Sequence, residues 1–353
     1  MRIAVIGAGA VGGALAALLD RAGHEVDVTA RGAQLAAIRS TGITLGGAWG
    51  NHTARVGASE VLQRVPELVI VATKASDAAA ALTTSAAWLS GVPVVIVQNG
   101  LAALTSGRDS APASGIVGAL ALFAASFLDP GRVTITAPGA LYLGVQNGTD
   151  GGAGTARDAA ALALAARVLG AVIPATVTQN FVGAQWTKLV VNQINALPAI
   201  TGLSAQAVIA DPGLRRIMVG SMRETVRAGL AAGIRFETLQ GLSLPLLLLL
   251  DRAPFALSQL IPLAMARRMG ATPNPGSTLQ SIRRGQLTEV DFLNGAVVSA
   301  ALLAGTDAPI NTLLVRLVHE VERTGQFLSP SECRMRVREC GKSTQDKFGT
   351  GAS

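Results

Sequence analysis

Residues 1–13 read MRIAVIGAGAVGG, and no other stretch constrains the fold as tightly. Residues 3–6 are the apolar run expected of a buried parallel strand. Gly7 permits the tight turn that follows, Gly9 lets backbone approach a pyrophosphate, and Gly12 lets the next helix pack closely. A helix over residues 11–22 turns unpaired N–H groups and its positive dipole end toward an anion. The backbone of Gly7, Ala8, Gly9, Ala10, Val11 and Gly12 is therefore the expected dinucleotide cradle. FAD, SAM and nucleotide-sugar proteins share this turn, so the motif marks a nucleotide site without choosing the nucleotide.

The end of the next strand makes that choice. Residues 25–29 form it, after the turn Ala22-Gly23-His24. An NAD site places Asp or Glu there to accept from the ribose 2′-OH. Here the chain reads Thr29-Ala30-Arg31, roughly twenty residues beyond the glycines. Arg31 is either an ordinary solvated loop arginine or the partner of a 2′-phosphate, and the missing carboxylate favours NADP.

With 353 residues the chain is long enough for two domains. Half of it is hydrophobic and 14% is charged, as in a globular protein. The formal net charge of +7 is partly local, since residues 334–347 hold five positive charges against two negative. Basic runs interleaved with aromatics are missing, so no nucleic-acid partner is expected, and the excess suits anionic cofactors and substrates. Cys333 and Cys340 have neither metal-ligand nor CxxC spacing, and no metal is expected. The start shows no signal peptide, which predicts a cytoplasmic protein. The leucine run at 246–250 is bounded by Pro245, Asp251, Arg252 and Pro254, well short of the roughly 20 apolar residues of a membrane span. It reads as a buried or interface helix, and the apolar helical half as the seat of a homodimer.

Strands resume at 67–73 and 93–98, continuous apolar runs suited to a parallel sheet covered on both faces, with a crossover helix over 75–88. A helix at 32–40 and strand-like hairpins at 41–58 precede them. Residues 116–123 are a further buried strand. Residues 132–137 and 140–145 alternate around Pro138-Gly139 and read as an antiparallel hairpin closing the sheet. A flexible loop at 147–154, an alanine-rich helix to 169 and a short strand at 175–178 end the domain. Beyond it the periodic segments are helical: 181–197, 212–232, 239–250, 255–269, 279–284, 292–303 and 311–324. The predicted domains are 1–178 (dinucleotide-binding), 179–328 (helical, for substrate and dimerisation) and 329–353, a polar, basic, poorly ordered tail.

Ligands of open α/β sheets bind beyond the carboxyl ends of the strands, which nominates Lys74 and Asn99-Gly100. Lys74 is either a phosphate or carboxylate contact or a solvent-facing lysine at a helix start; Asn99 is either a ligand contact or turn chemistry. In residues 185–197, Lys188, Asn192 and Asn195 fall on one helical face among apolar neighbours. They are either a satisfied amide pair beside a snorkelling lysine or a site in a cleft between domains. There, desolvation would bring the lysine pKa toward the working pH, as a general acid requires. Glu289 and Asp291 precede an apolar helix and suit its dipole; their position after Ser277 allows a second role.

Taken in order, GAGAVGG, Lys74 after VAT, Gln98-Asn99-Gly100, Trp186-Thr-Lys188-Leu-Val-Val-Asn192 and Ser277 followed twelve residues later by Glu289 resemble the ketopantoate reductase family. The resemblance implies an α/β Rossmann domain with a C-terminal all-helical domain of the 6-phosphogluconate dehydrogenase-like kind. It also implies NADPH-dependent reduction of 2-dehydropantoate to (R)-pantoate, for pantothenate and coenzyme A synthesis. Lys188 would be the general acid and Glu289 its partner or a grip on a substrate hydroxyl. Asn99, Asn192 and Ser277 would hold substrate, and Arg31 and Lys74 the cofactor's phosphate end. The chain departs from the pattern in placing Asn195 three residues after Asn192, where many members have a second asparagine at four. It also has a long leucine-rich segment at 239–275. Two rivals follow: a related 2-oxo acid or opine-type dehydrogenase, and an NADPH-binding regulator without catalysis.

Overall fold

The computed structural model describes residues 1–127, 129–146, 154–269 and 273–348. The loop expected at 147–154 lies outside them except for Gly154, as do residues 349–353 of the expected tail and the side chain of Cys340. The chain divides into two compact units, Met1–Phe181 and Val182–Ser353.

The first unit opens with β1 (Arg2–Ile6), α1 (Ala10–Arg21), β2 (Glu25–Thr29), α2 (Gly32–Thr41), β3 (Ile43–Gly47), β4 (His52–Ala54) and β5 (Gly57–Ser59). It continues through β6 (Leu68–Val71), α3 (Ala75–Leu89), β7 (Val94–Val97), α4 (Ala103–Ser110), β8 (Ile116–Ala121) and β9 (Ala124–Ser126). Then come β10 (Arg132–Ala137), β11 (Leu141–Gly144), α5 (Ala156–Gly170) and β12 (Ala175–Val177). The main sheet runs β12-β11-β8-β7-β6-β1-β2-β5. β1 pairs parallel with both β2 and β6, with Ile6 opposite Thr29 and Val71. Every residue of β6 and β7 is buried, which is why both read as unbroken apolar runs. The strand order reverses around β1, and α/β sheets offer ligands a crevice at such a point.

A second sheet, β4-β3-β10-β9, corrects the expected hairpin. β10 pairs parallel with β3 and antiparallel with β9, whereas β11 stays in the main sheet, antiparallel to β8. The cause lies in α1. Its residues Gly12 to Leu19 are all buried, and a helix apolar on every side needs cover on every side. The main sheet covers one flank and β10 the other, so closely that a Cβ on Gly13 would come within 2.8 Å of Val133 Cγ2. Of the strands at 41–58, β3 and β4 form a hairpin, while β5 leaves to extend the main sheet beside β2.

Asp158 on α5 ties this unit together. Its carboxylate accepts from the Ile116 N–H at 2.8 Å, the Thr155 N–H at 2.9 Å and Arg108 at 3.1 Å. Burial pushes its pKa up, but these hydrogen bonds and the nearby guanidinium prevail and hold it below the usual carboxylate value.

The second unit is helical throughout: α6 (Phe181–Asn192), α7 (Ala196–Thr201), α8 (Ala205–Ala210), α9 (Pro212–Ala231), α10 (Leu244–Arg252), α11 (Phe255–Ser258) and α12 (Leu260–Arg268). After these come α13 (Gly276–Arg283), α14 (Val290–Leu303), α15 (Pro309–Thr324) and α16 (Pro330–Phe348). The single helix expected over 181–197 is broken: Gln193, Ile194 and Asn195 donate to carbonyls three residues back, a tightened turn between α6 and α7. α9 packs against α8, α10, α14, α15 and α16.

Polar side chains inside this unit are paired with one another. Gln193 Oε1 accepts from Asn294 Nδ2 at 2.7 Å, and Ser221 Oγ lies 2.8 Å from Gln193 Oε1 and 2.9 Å from Asn311 Oδ1. Glu224 on α9 accepts from the Ile310 and Asn311 N–H groups, both at 2.8 Å, and from Asn311 Nδ2 at 2.7 Å. It thus caps α15 from another helix, where Ala308 offers no side-chain cap. Arg223 clasps the leucine-rich segment. It donates to the Leu250 carbonyl at 2.9 Å, to that of Ala253, and to Ser258 Oγ at 2.7 Å, and stacks 4.0 Å over Phe255. Leu242, Leu247 and Leu250 are buried, and no helix among the described residues is long and apolar enough to cross a membrane.

The poorly ordered tail expected after residue 328 is likewise corrected. The Leu328 N–H donates to the Ile200 carbonyl at 2.9 Å, Cys333 is fully buried, and Arg334 pairs with Asp211 at 3.1 Å. A polar composition masked the one side of α16 that packs on α9.

Candidate active site

Four adjacent strands, in the order β7-β6-β1-β2, bring one group of expected residues to one edge of the sheet. Gly7 to Gly12 follow β1, Arg31 follows β2, Lys74 follows β6 and Asn99 follows β7. Gly7 has a φ of +98°, in the region L side chains avoid. Its N–H donates to Thr29 Oγ1 at 3.1 Å. A Cβ on Gly12 would overlap the Gly7 carbonyl oxygen, whereas one on Gly9 would meet no protein atom within 4 Å. Gly12 thus serves helix packing, and Gly9 faces open space. Gly9 is also the N-cap of α1 and supplies no side-chain cap, the setting in which a helix N-terminus takes an anion. Beside Gly7, Thr73 Oγ1 is buried with no hydrogen-bond partner among the described residues. An open backbone cradle next to an orphaned hydroxyl fits a bound pyrophosphate.

Arg31 is exposed and forms the N-cap of α2; Lys74, half-buried, does the same for α3. Asn99, also half-buried, precedes Gly100, whose φ is +80°. Two glutamines organise the edge. Gln34 donates to the Ala8 carbonyl and accepts from the Gly131 N–H, both at 2.7 Å, linking the glycine turn to the second sheet. Gln98 donates to the carbonyls of Thr73 at 3.2 Å and Lys74 at 3.4 Å, stapling the ends of β6 and β7. Gln34 carried no sequence signal, being one glutamine on a helix. Gln98 was visible only as the neighbour of Asn99.

The second group lies in the helical unit. Lys188 is 8% exposed on α6. Burial pushes its pKa down to about 8, and the attraction of the Glu289 carboxylate works against that fall. Glu289 occupies the N-cap position of α14, half-buried, without capping it by its side chain. Asn192 and Asn195 are half-buried. α7 packs on α13, and Asn195 Oδ1 lies where it would be 2.6 Å from a Cβ on Gly276, beside the exposed Ser277. The fold therefore associates Lys188 with Glu289, and sets Asn195 beside Gly276, the residue before Ser277. An ammonium poised to titrate near pH 8 can give up a proton in neutral solution without an extreme driving force.

A glycine turn at the carboxyl end of a parallel sheet, and a desolvated lysine beside a glutamate on a helical unit, are what a dinucleotide-dependent oxidoreductase needs. The chain belongs to the ketopantoate reductase family: residues 3–148 match the family described as ketopantoate reductase PanE/ApbA, and residues 180–322 match its C-terminal part. It is 27% identical over 326 residues to a 2-dehydropantoate 2-reductase of Pyrococcus horikoshii, covering 92% of this chain and 99% of that one. A second relative of that name, from Caulobacter vibrioides, is 28% identical across 90% of this chain and 98% of its own. Among solved structures, a PanE/ApbA family ketopantoate reductase from Ralstonia eutropha aligns with a TM-score of 0.73 at 26% identity, covering 92% of this chain and 99% of that one. A D-mandelate dehydrogenase in complex with NADH and anilino(oxo)acetate shares the fold, with a TM-score of 0.75 at 20% identity and coverage of 92% and 99%.

Proposed function

We propose that the protein reduces 2-dehydropantoate to (R)-pantoate with NADPH. The observation that carries this reading is Lys188, buried beside Glu289 and holding a pKa of about 8, in a member of the ketopantoate reductase family. A bound nicotinamide would supply the hydride. The residues of this chain do the rest. The amides that open α1 and the Gly9 gap receive the pyrophosphate, and Arg31 and Lys74 take the phosphate end of the nucleotide. Lys188 Nζ gives its proton to the oxygen of the carbonyl being reduced, so that no alkoxide has to build up. Glu289 keeps that ammonium charged and aligned. Asn99, Asn192, Asn195 and Ser277 orient the carboxylate and hydroxyl of the substrate, and such alignment is worth several kcal/mol.

Absorbance at 340 nm, followed across a panel of 2-oxo acids with NADPH and with NADH, tests the reading. 2-Dehydropantoate should show by far the highest kcat/KM. NADPH should be preferred at least about tenfold, which one guanidinium–phosphate contact can supply, and Arg31→Ala should erase that preference. Equal use of both cofactors would make Arg31 a bystander. The shared fold with D-mandelate dehydrogenase raises one second reading, a reductase of aryl 2-oxo acids. Benzoylformate in the panel decides between them.

A further inference from the structure

The start of α14 is held by side chains that the mechanism above leaves unused. The Thr288 N–H donates to Glu322 Oε1 on α15 at 2.6 Å, and Thr288 Oγ1 accepts from the Val290 N–H at 3.2 Å. The other oxygen of Glu322 lies 2.6 Å from His319 Nδ1, while His319 Nε2 lies 3.0 Å from Asp291 Oδ1. Glu289 thus stands between two residues, Thr288 and Asp291, that are both tied to α15. Its own side chain takes no part in capping the helix, so the backbone around it is oriented from outside.

We infer that Glu322 and His319 are positioning residues for Glu289: they pin the first turn of α14 to α15 and so fix where its carboxylate stands relative to Lys188. The two arms of the latch differ in strength. The Glu322 side chain is 10% exposed and its bond to the Thr288 N–H is partly buried, whereas the His319 ring it meets is 45% exposed. Asp291 is 61% exposed, and ion pairs in that setting contribute little. Both ring nitrogens of His319 face carboxylates, and only the doubly protonated imidazole can donate to both at once. Burial lowers the His319 pKa, but the two carboxylates overcome it and the net shift is upward. Burial likewise pushes Glu322 up, while Thr288 and His319 more than reverse it. Both shifts favour the charged forms of the pair, which Glu322 also joins to the Thr288 backbone amide.

The inference rests on the pairing of Lys188 with Glu289 proposed above, but its test needs no substrate. The chain contains only four lysines, Lys74, Lys188, Lys342 and Lys347, so the full-length protein with lysine labelled at 13Cε can be titrated by NMR, with Lys188→Arg assigning the signal. In Glu322→Ala the Lys188 midpoint should move down by about half a unit, as a displaced carboxylate attracts the ammonium less. Glu322→Gln keeps an acceptor for the Thr288 N–H and should restore most of the shift. In a Glu289→Gln background Glu322→Ala should add almost nothing, the signature of two groups acting through one path. A folded Glu322→Ala protein with an unmoved Lys188 titration would overturn the inference, and so would an equal shift in the Glu289→Gln background. Should Glu322→Ala fail to fold, His319→Ala is read in its place. A smaller downward shift supports the latch, and no shift refutes it. A chain that reduces no 2-oxo acid would sink the proposed function and leave this titration interpretable.

Discussion

Lys188 combines its proposed role in chemistry with a cost in stability. Its pKa is 10.5 in an unfolded chain and about 8 when buried on α6. Above pH 10.5 both states are neutral and burial carries no penalty. As pH falls through 8 both states are charged and the penalty is complete. Lys188→Met should therefore stabilise the protein in urea unfolding at pH 7, by on the order of 3 kcal/mol at most, and the gain should shrink as pH rises from about 8 to 10.5. As the proposed proton donor, the same residue should also set the activity profile. A proton donor must be protonated, so kcat should decline as pH rises through about 8, and Lys188→Ala should lower it roughly 10²-fold or more with NADPH affinity little changed. Near-normal turnover in that variant would remove Lys188 from the role.

At the scale of elements, two glycines in one turn do separable work. Gly12→Ala forces α1 away from the Gly7 carbonyl and should lower the melting temperature of the cofactor-free protein. Gly9→Ala places its methyl in open space, so that melting temperature should hold while NADPH affinity, read by fluorescence titration, falls about tenfold or more. Loss of stability in both variants would mean that Gly9 is also a packing residue. In the helical unit, α15 depends on a cap from α9. Glu224→Ala leaves the Ile310 and Asn311 amides without their acceptor and should cost about 2–3 kcal/mol in urea unfolding.

On the scale of the whole molecule, α16 is part of the helical unit. Ending the chain after Leu328 removes the buried Cys333 and the Arg334–Asp211 pair and uncovers α9. The truncated protein should melt at a lower temperature, and an unchanged melting curve would return α16 to the status of a tail. The segment was hard to read because a helix that packs along one narrow side and is otherwise polar has the composition of a loop. α4 and α8 escaped notice because each is under three turns long, too short for a 3.6-residue period to show. The hairpin expected at 132–145 failed for another reason. Alternation shows that two segments are strands, but the cover demanded by α1 chose their partners.

By itself the sequence determined what rests on local rules. The glycine spacing set the first turn, unbroken apolar runs marked the strands covered on both faces, and 3.6-residue periodicity marked most of the helices. It also nominated Lys188, Asn192 and Asn195, polar residues on one face of an apolar helix, and, through an order shared with the family, Ser277 and Glu289. Only the tertiary structure decided the pairing of β10 with β3, the burial that brings Lys188 to a pKa of about 8, and the links from Gln34, Gln98, Glu224 and Glu322. Each of those depends on which distant segments share a dry space, and desolvation and hydrogen bonding act through space rather than along the chain.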